Sequence, residues 1–188
     1  MIFSGSVPFM IRKKYSSDYK IHQSLDKNGR IKKEAEYTGT KYRFALPKEA
    51  RLPRAGRLFA AGVLGWAAYL LPLATRNYLS SVIFCILPHV CAAIPLWLFL
   101  YSLFQARFGQ EPLFREKADK ISGRLYYGAL ATAVLSALAV LGSLAWILFM
   151  AHGNFVAGDI LFLICDCYLL LLSGVVFYLR DLCKMEAA

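Results

Sequence analysis

Residues 125–150 read LYYGALATAVLSALAVLGSLAWILFM, a run from Leu125 to Met150 without one charged side chain. A helix needs about 20 apolar residues to cross the hydrocarbon core of a bilayer. A soluble helix of this length shows a polar face, and this one shows none. The rival reading, a buried core helix of a soluble protein, fails on that point. Three further segments have the same character: Leu58–Ala74, Leu79–Phe104 and Val156–Leu179. The expected fold is an all-α membrane protein, a four-transmembrane-helix bundle with spans near 57–75, 79–104, 125–150 and 156–179.

The rest of the chain is polar. The 188 residues are 58% hydrophobic, against about 45–50% for an ordinary soluble domain, and nearly all the surplus lies beyond Leu58. Three regions follow: a basic arm over 1–56, the transmembrane domain over 57–180 and a short tail over 181–188. The start, MIFSGSVPF, lacks the basic and apolar regions of a secretory signal, and Met10, followed by Ile-Arg-Lys-Lys, reads as an alternative initiator.

Lys and Arg decide which side each loop faces. Residues 1–57 hold 14 of the 22, the 105–124 loop five and the tail after Leu179 two, whereas the 74–79 turn holds Arg76 alone. Both termini are therefore expected in the cytoplasm, in a multi-pass protein of the cell inner (plasma) membrane. The net charge of +10 is read as a topology signal facing anionic lipid headgroups, not as a nucleic-acid footprint. Arg51, Arg54 and Arg57, three residues apart before the first span, are the expected headgroup contacts; each is worth about 1 kcal/mol near an anionic surface.

Within the arm, alternate residues pick out three short stretches: Tyr19, Ile21, Gln23 and Leu25; Ile31, Lys33, Ala35 and Tyr37; Tyr42, Phe44 and Leu46. Asn28-Gly29 and Thr38-Gly39-Thr40 separate them, and Asn-Gly is a strong hairpin turn signal. A three-stranded β-meander over 19–46 is one reading and a disordered basic arm the other. Such a sheet is too small to stand alone, so it needs cover from the bilayer or the helix ends. Farther on, Phe114, Ala118, Ile121 and Leu125 share one helical face. The third helix is thus expected to begin outside the membrane, with Pro112 in its first turn.

Small residues mark the packing faces of membrane helices. Ala61 and Gly65 do so in the first span, beside Gly62. In the third, Ala129, Ala133 and Ala137 form one row and Gly128, Thr132 and Ser136 the next. These rows suit a compact bundle or a homo-oligomer interface. Pro88 and Pro95 each delete a backbone hydrogen bond, so the second span is expected to bend.

The fourth span contains LICDCYLLLL, with Asp166 among leucines. A central charge costs about 2.5–3.5 kcal/mol on the insertion scale. Thirteen Leu, Ile, Val and Phe residues between Ile160 and Leu179 return roughly 4–8 kcal/mol, so the span tolerates it. His89 is the candidate partner, because both residues lie about 15 Å from the same ends of their spans. A His89–Asp166 pair can fix helix register or form a proton-linked or ligand site; Asp166 can also stay protonated alone or face another subunit. Asp159, near the end of its span, is expected to reach headgroup water, or to cap its own helix.

No metal or cofactor is expected. Cys85 and His89 share a helix face, but Cys165 and Cys167 point about 200° apart, and no C-x-x-C occurs. Cys183 lies near the membrane and is a conceivable acylation position. No catalytic residue is assigned. HGNFVAGDILFLI resembles, over about ten residues, a stretch of the four-span lipoprotein signal peptidases, which implies aspartyl proteolysis. That chemistry needs two adjacent carboxylates, whereas Asp159 and Asp166 stand about 10 Å apart along the axis.

EYTGTKYRFALP, Glu36–Pro47, together with the span layout, resembles small bacterial four-span membrane proteins of no assigned function, and the resemblance implies no mechanism. The functional expectation is a non-enzymatic accessory or regulatory subunit whose cytoplasmic arm docks on a protein partner or on lipid. The alternative is a small oligomeric transporter or channel using His89 and Asp166.

Overall fold

The computed structural model describes residues 13–25, 31–149 and 156–188. Five helices fill its centre: α1 (Lys48–Ala74), α2 (Ile83–Cys91), α3 (Ala93–Phe108), α4 (Arg115–Phe149) and α5 (Ala157–Tyr178). α2 and α3 are the two halves of one span, so four helical rods are long and apolar enough to cross a membrane. α4 packs along α2, α3 and α5, and α1 against α3 and α5. The rods expose a band of large apolar side chains, with Ile94 at 73% and Leu171 at 69%. A soluble surface rarely tolerates a contiguous apolar band of this kind.

The inward faces follow helical periodicity. In α1, Arg51, Ala55, Leu58, Gly62, Gly65, Tyr69 and Pro72 are buried; the alternating steps of four and three keep one stripe facing its neighbours. In α5, Asp159, Phe162, Asp166, Leu169, Ser173 and Val176 do the same. α4 buries the row Gly128, Thr132 and Ser136, and leaves Ala133 and Ala137 half-exposed. A Cβ on Gly128 would meet the Pro95 carbonyl at 2.9 Å, and one on Gly142 the Phe84 carbonyl at 2.9 Å. Close backbone approach of this kind is how helices associate in lipid. Buried hydroxyls of Ser102, Thr132 and Ser173 donate to carbonyls of their own helices.

The second span breaks at Ala92, where the N–H bonds to the carbonyls of both Pro88 and His89. The break lies between the two prolines whose missing N–H groups weaken this stretch. α4 is a continuous helix of 35 residues, about 52 Å long, longer than a hydrocarbon core of about 30 Å requires. It starts at Arg115; Pro112 precedes it in a loop and is not in its first turn.

The described residues of the arm form strands, but not a meander. β1 (Tyr19–Leu25) and β2 (Ile31–Tyr37) form an antiparallel ribbon in register Tyr19↔Tyr37 to Leu25↔Ile31; the Asn28-Gly29 turn, like the choice between Met1 and Met10, lies outside the described residues. β3 (Lys41–Phe44) turns away from β2. It sits between β4 (Leu113–Phe114) and β5 (Met185–Ala187), so this second sheet joins arm, middle loop and tail. Gly39 permits the change of direction: a Cβ there would lie 2.7 Å from that of Asp18, whose carbonyl accepts the N–H groups of Thr38 and Gly39. The expected single sheet gives way because pairing with β4 and β5 buries Phe44 and Leu113 over the helix ends.

Candidate functional site

α2 carries Cys85 and His89 inward, and the α5 stripe brings Asp166 opposite. Nδ1 of His89 lies 2.7 Å from Oδ1 of Asp166, and Nε2 lies 3.0 Å from the carbonyl oxygen of Tyr69. Both residues are completely buried. The imidazole is stacked on the Tyr69 ring at 4.8 Å and 7°, and the Phe162 ring stands 4.9 Å from it, tilted by 41°. Three helices, α1, α2 and α5, thus meet on one side chain.

This geometry fixes the proton count. A carbonyl only accepts, so Nε2 carries a hydrogen. One further proton then lies between Nδ1 and Oδ1. It makes either an imidazolium beside a carboxylate, or a neutral imidazole accepting from a carboxylic acid. The pair is electrically neutral in both forms, which removes most of the penalty of a lone buried charge. Oδ2 of Asp166 has no hydrogen-bond partner among the described residues.

Asp159 belongs to a different constellation. It does not reach headgroup water but is fully buried. Oδ1 accepts from the N–H groups of Tyr78 (2.7 Å) and Leu79 (3.1 Å), and Oδ2 from that of Val156 (2.9 Å). It therefore caps its own helix and also holds the 74–79 turn over it. Gly158 makes room, since a Cβ there would fall 2.0 Å from the Arg76 carbonyl. With one aspartate bound to backbone and the other to histidine, the two serve separate sites.

At the other end of the bundle, Arg51 departs from expectation. It is 2% exposed, ion-paired through Nη1 to Glu111, and its guanidinium stands 4.0 Å from the Phe44 ring centroid. It therefore makes no headgroup contact. The cause is helical phase: three-residue steps rotate by 60° on a 3.6-residue helix, so Arg51 and Arg57 point about 120° apart. Arg54 and Arg57 are exposed. Cys183 is buried too. Burial pushes its thiol up to about 12, against the opposing pull of the Arg51 guanidinium, so it is not poised for acylation.

No family model, curated protein or solved structure matches this chain.

Among the described residues, no three His, Cys, Asp or Glu side chains gather as a metal site. Sequence reasoning missed Tyr69, which supplies both a ring and a carbonyl to His89, and Glu111, the counter-charge of Arg51. Tyr69 was detectable, because it lies on the same stripe as Gly62 and Gly65. Glu111 carries no such signal, since its position depends on how the middle loop folds back.

Proposed function

We propose that this chain is a non-enzymatic accessory subunit of the inner (plasma) membrane of a bacterial cell, and that it docks a protein partner through its arm. The arm, middle loop and tail lie in the cytoplasm in this reading, on the side that carries 21 of the 22 basic residues. Arg54 and Arg57 face anionic headgroups there.

The observation that carries the proposal is the β1–β2 ribbon. Among the described residues it pairs with no third strand, so its two outer edges are open to strand pairing as far as those residues go. Its base is fixed: the Tyr37 ring lies 4.4 Å from that of Phe114, and its hydroxyl donates to the Thr40 carbonyl and accepts from the Arg115 N–H. A ribbon on a rigid base with open edges suits strand addition by a partner. The sealed His89–Asp166 pair supports a register-fixing role within this reading. A conducting path needs access to the pair, and both side chains have none.

Photo-crosslinking from positions 20 and 21 in native membranes tests the proposal. It expects one adduct of the same mass from both positions and none from positions 94 and 171 on the exposed apolar band of the helices. The competing transporter reading expects proton flux in liposomes that His89→Gln abolishes. Flux without an adduct displaces the docking reading.

A further inference from the structure

The structure assigns a binding site for one acyl chain of an anionic phospholipid to the groove between α3 and α4, with Arg124 as its headgroup anchor. The inference rests on the membrane-spanning reading of the chain and on no part of the docking proposal.

The groove has a volume of about 540 Å³ and is lined by Cys91, Pro95, Leu98, Arg124, Tyr127 and Leu135, among others. That is within the roughly 300–1,000 Å³ of ordinary ligand clefts. Its floor is backbone: α3 and α4 touch where Gly128 meets the Pro95 carbonyl, and Ala131 beside it has little side chain to fill the space.

Length and charge identify the occupant. From Arg124 to Leu135 is eleven residues, about 16 Å along the helix, which matches one leaflet of a core about 30 Å thick. The groove is apolar along its depth and basic at one end only, where the last charge before the uncharged run of α4 stands. The Arg124 guanidinium lies 5.5 Å from the Tyr101 ring centroid, and among the described residues no carboxylate pairs with it. Lys117, exposed two turns farther out on the same face, is likewise without a carboxylate partner among the described residues. A guanidinium with free donors at headgroup level recognises a phosphodiester. A second copy of the chain fits less well. Its helix would have to cross both leaflets, and a two-fold contact on this face would bring a second Arg124 to the same rim.

Native mass spectrometry tests the site, on protein extracted from vesicles of equimolar phosphatidylglycerol and phosphatidylcholine. The wild type is expected to retain one phosphatidylglycerol in preference to phosphatidylcholine. Arg124→Gln should lower that preference about fivefold, the equivalent of about 1 kcal/mol. Gly123→Leu should abolish retention of both lipids without unfolding the bundle, because a Cβ at Gly123 meets nothing within 4 Å. Equal retention of the two lipids by the wild type overturns the inference. So do variants that match the wild type, or a dimer that Gly123→Leu dissociates. Extraction of the chain by carbonate without detergent would instead refute the membrane-spanning reading itself.

Discussion

His89 and Asp166, 77 positions apart in the chain, share a single proton along a 2.7 Å line because Tyr69 occupies the other imidazole nitrogen with a carbonyl. The arrangement needs a donor and an acceptor on that line, not a net charge. Asp166→Asn supplies both: its amide N–H donates to a bare Nδ1 while Nε2–H stays on Tyr69. It should cost under about 1 kcal/mol. Asp166→Ala leaves Nδ1 buried without a partner and opens a cavity, at roughly 2–4 kcal/mol. Thermal unfolding in detergent separates the two. Equal losses for Asn and Ala would mean that the carboxylate itself is required.

Arg51 joins the first helix to the middle loop and to the sheet that holds the tail. Glu111→Ala strands a buried guanidinium, whose Nε already lacks a partner among the described residues. Breaking a buried pair this way costs about 3–5 kcal/mol. The Glu111 side chain is 20% exposed, so about 2–3 kcal/mol is expected here. Arg51→Met keeps the packing on Phe44 and removes the charge, and should be milder than Glu111→Ala. Arg54→Ala and Arg57→Ala, at exposed positions, should stay within about 0.5 kcal/mol. Chemical denaturation of the four variants ranks them, and a loss at Arg54 or Arg57 equal to that of Glu111→Ala would refute the assignment.

The four rods were legible because lipid leaves a one-dimensional record: long apolar runs with no polar face. The inward stripes were legible only in part: of the small-residue rows, Gly62 and Gly65 in α1 and Gly128, Thr132 and Ser136 in α4 face inward, whereas Ala61, Ala133 and Ala137 are half-exposed. Arg51 was misread because its three-residue recurrence with Arg54 and Arg57 resembles a patch, whereas its four-residue step to Ala55 places it in the stripe. Of the two readings of Asp159 the helix cap holds and the exposure does not, because nearness to a span end was equated with access to water. Its burial depends on a turn 80 residues earlier folding over it. Of the second sheet only β3 was legible, through the alternation of Tyr42 and Phe44; β4 and β5, two and three residues from distant segments, carry no periodicity.

Cys183 provides a chemical readout of the tail. Burial raises its thiol from the ordinary 9.0 to about 12. Between those values the unfolded chain has released a proton that the folded chain keeps. Stability therefore falls as pH rises through that window and is indifferent to this group near pH 7. Iodoacetamide at pH 8 should leave Cys183 unmodified in the folded protein and alkylate it in denaturant. Alkylation at the same rate in both would place the tail off the sheet. Glu111→Ala should raise the native rate if the loop and tail loosen together.

The far end of the bundle depends on Asp159, which binds three backbone N–H groups with two oxygens. Asp159→Asn keeps one acceptor oxygen but turns an amide N–H toward at least one of those donors. A donor facing a donor in a buried site forfeits that hydrogen bond and leaves both groups unsatisfied, at about 2 kcal/mol. Gly158→Ala acts on the same junction by another route, since its methyl would fall on the Arg76 carbonyl 2.0 Å away and force the turn from the helix. Overpacking of this kind costs about 1–3 kcal/mol. Gly174→Ala is the control, because a Cβ there meets nothing within 4 Å; it should be neutral or slightly stabilising. Hydrogen exchange at Tyr78 and Leu79 reports the junction directly. Both substitutions there should speed exchange at these two amides while Gly174→Ala leaves it unchanged. Unaltered protection in Asp159→Asn would show that the carboxylate does not hold the turn.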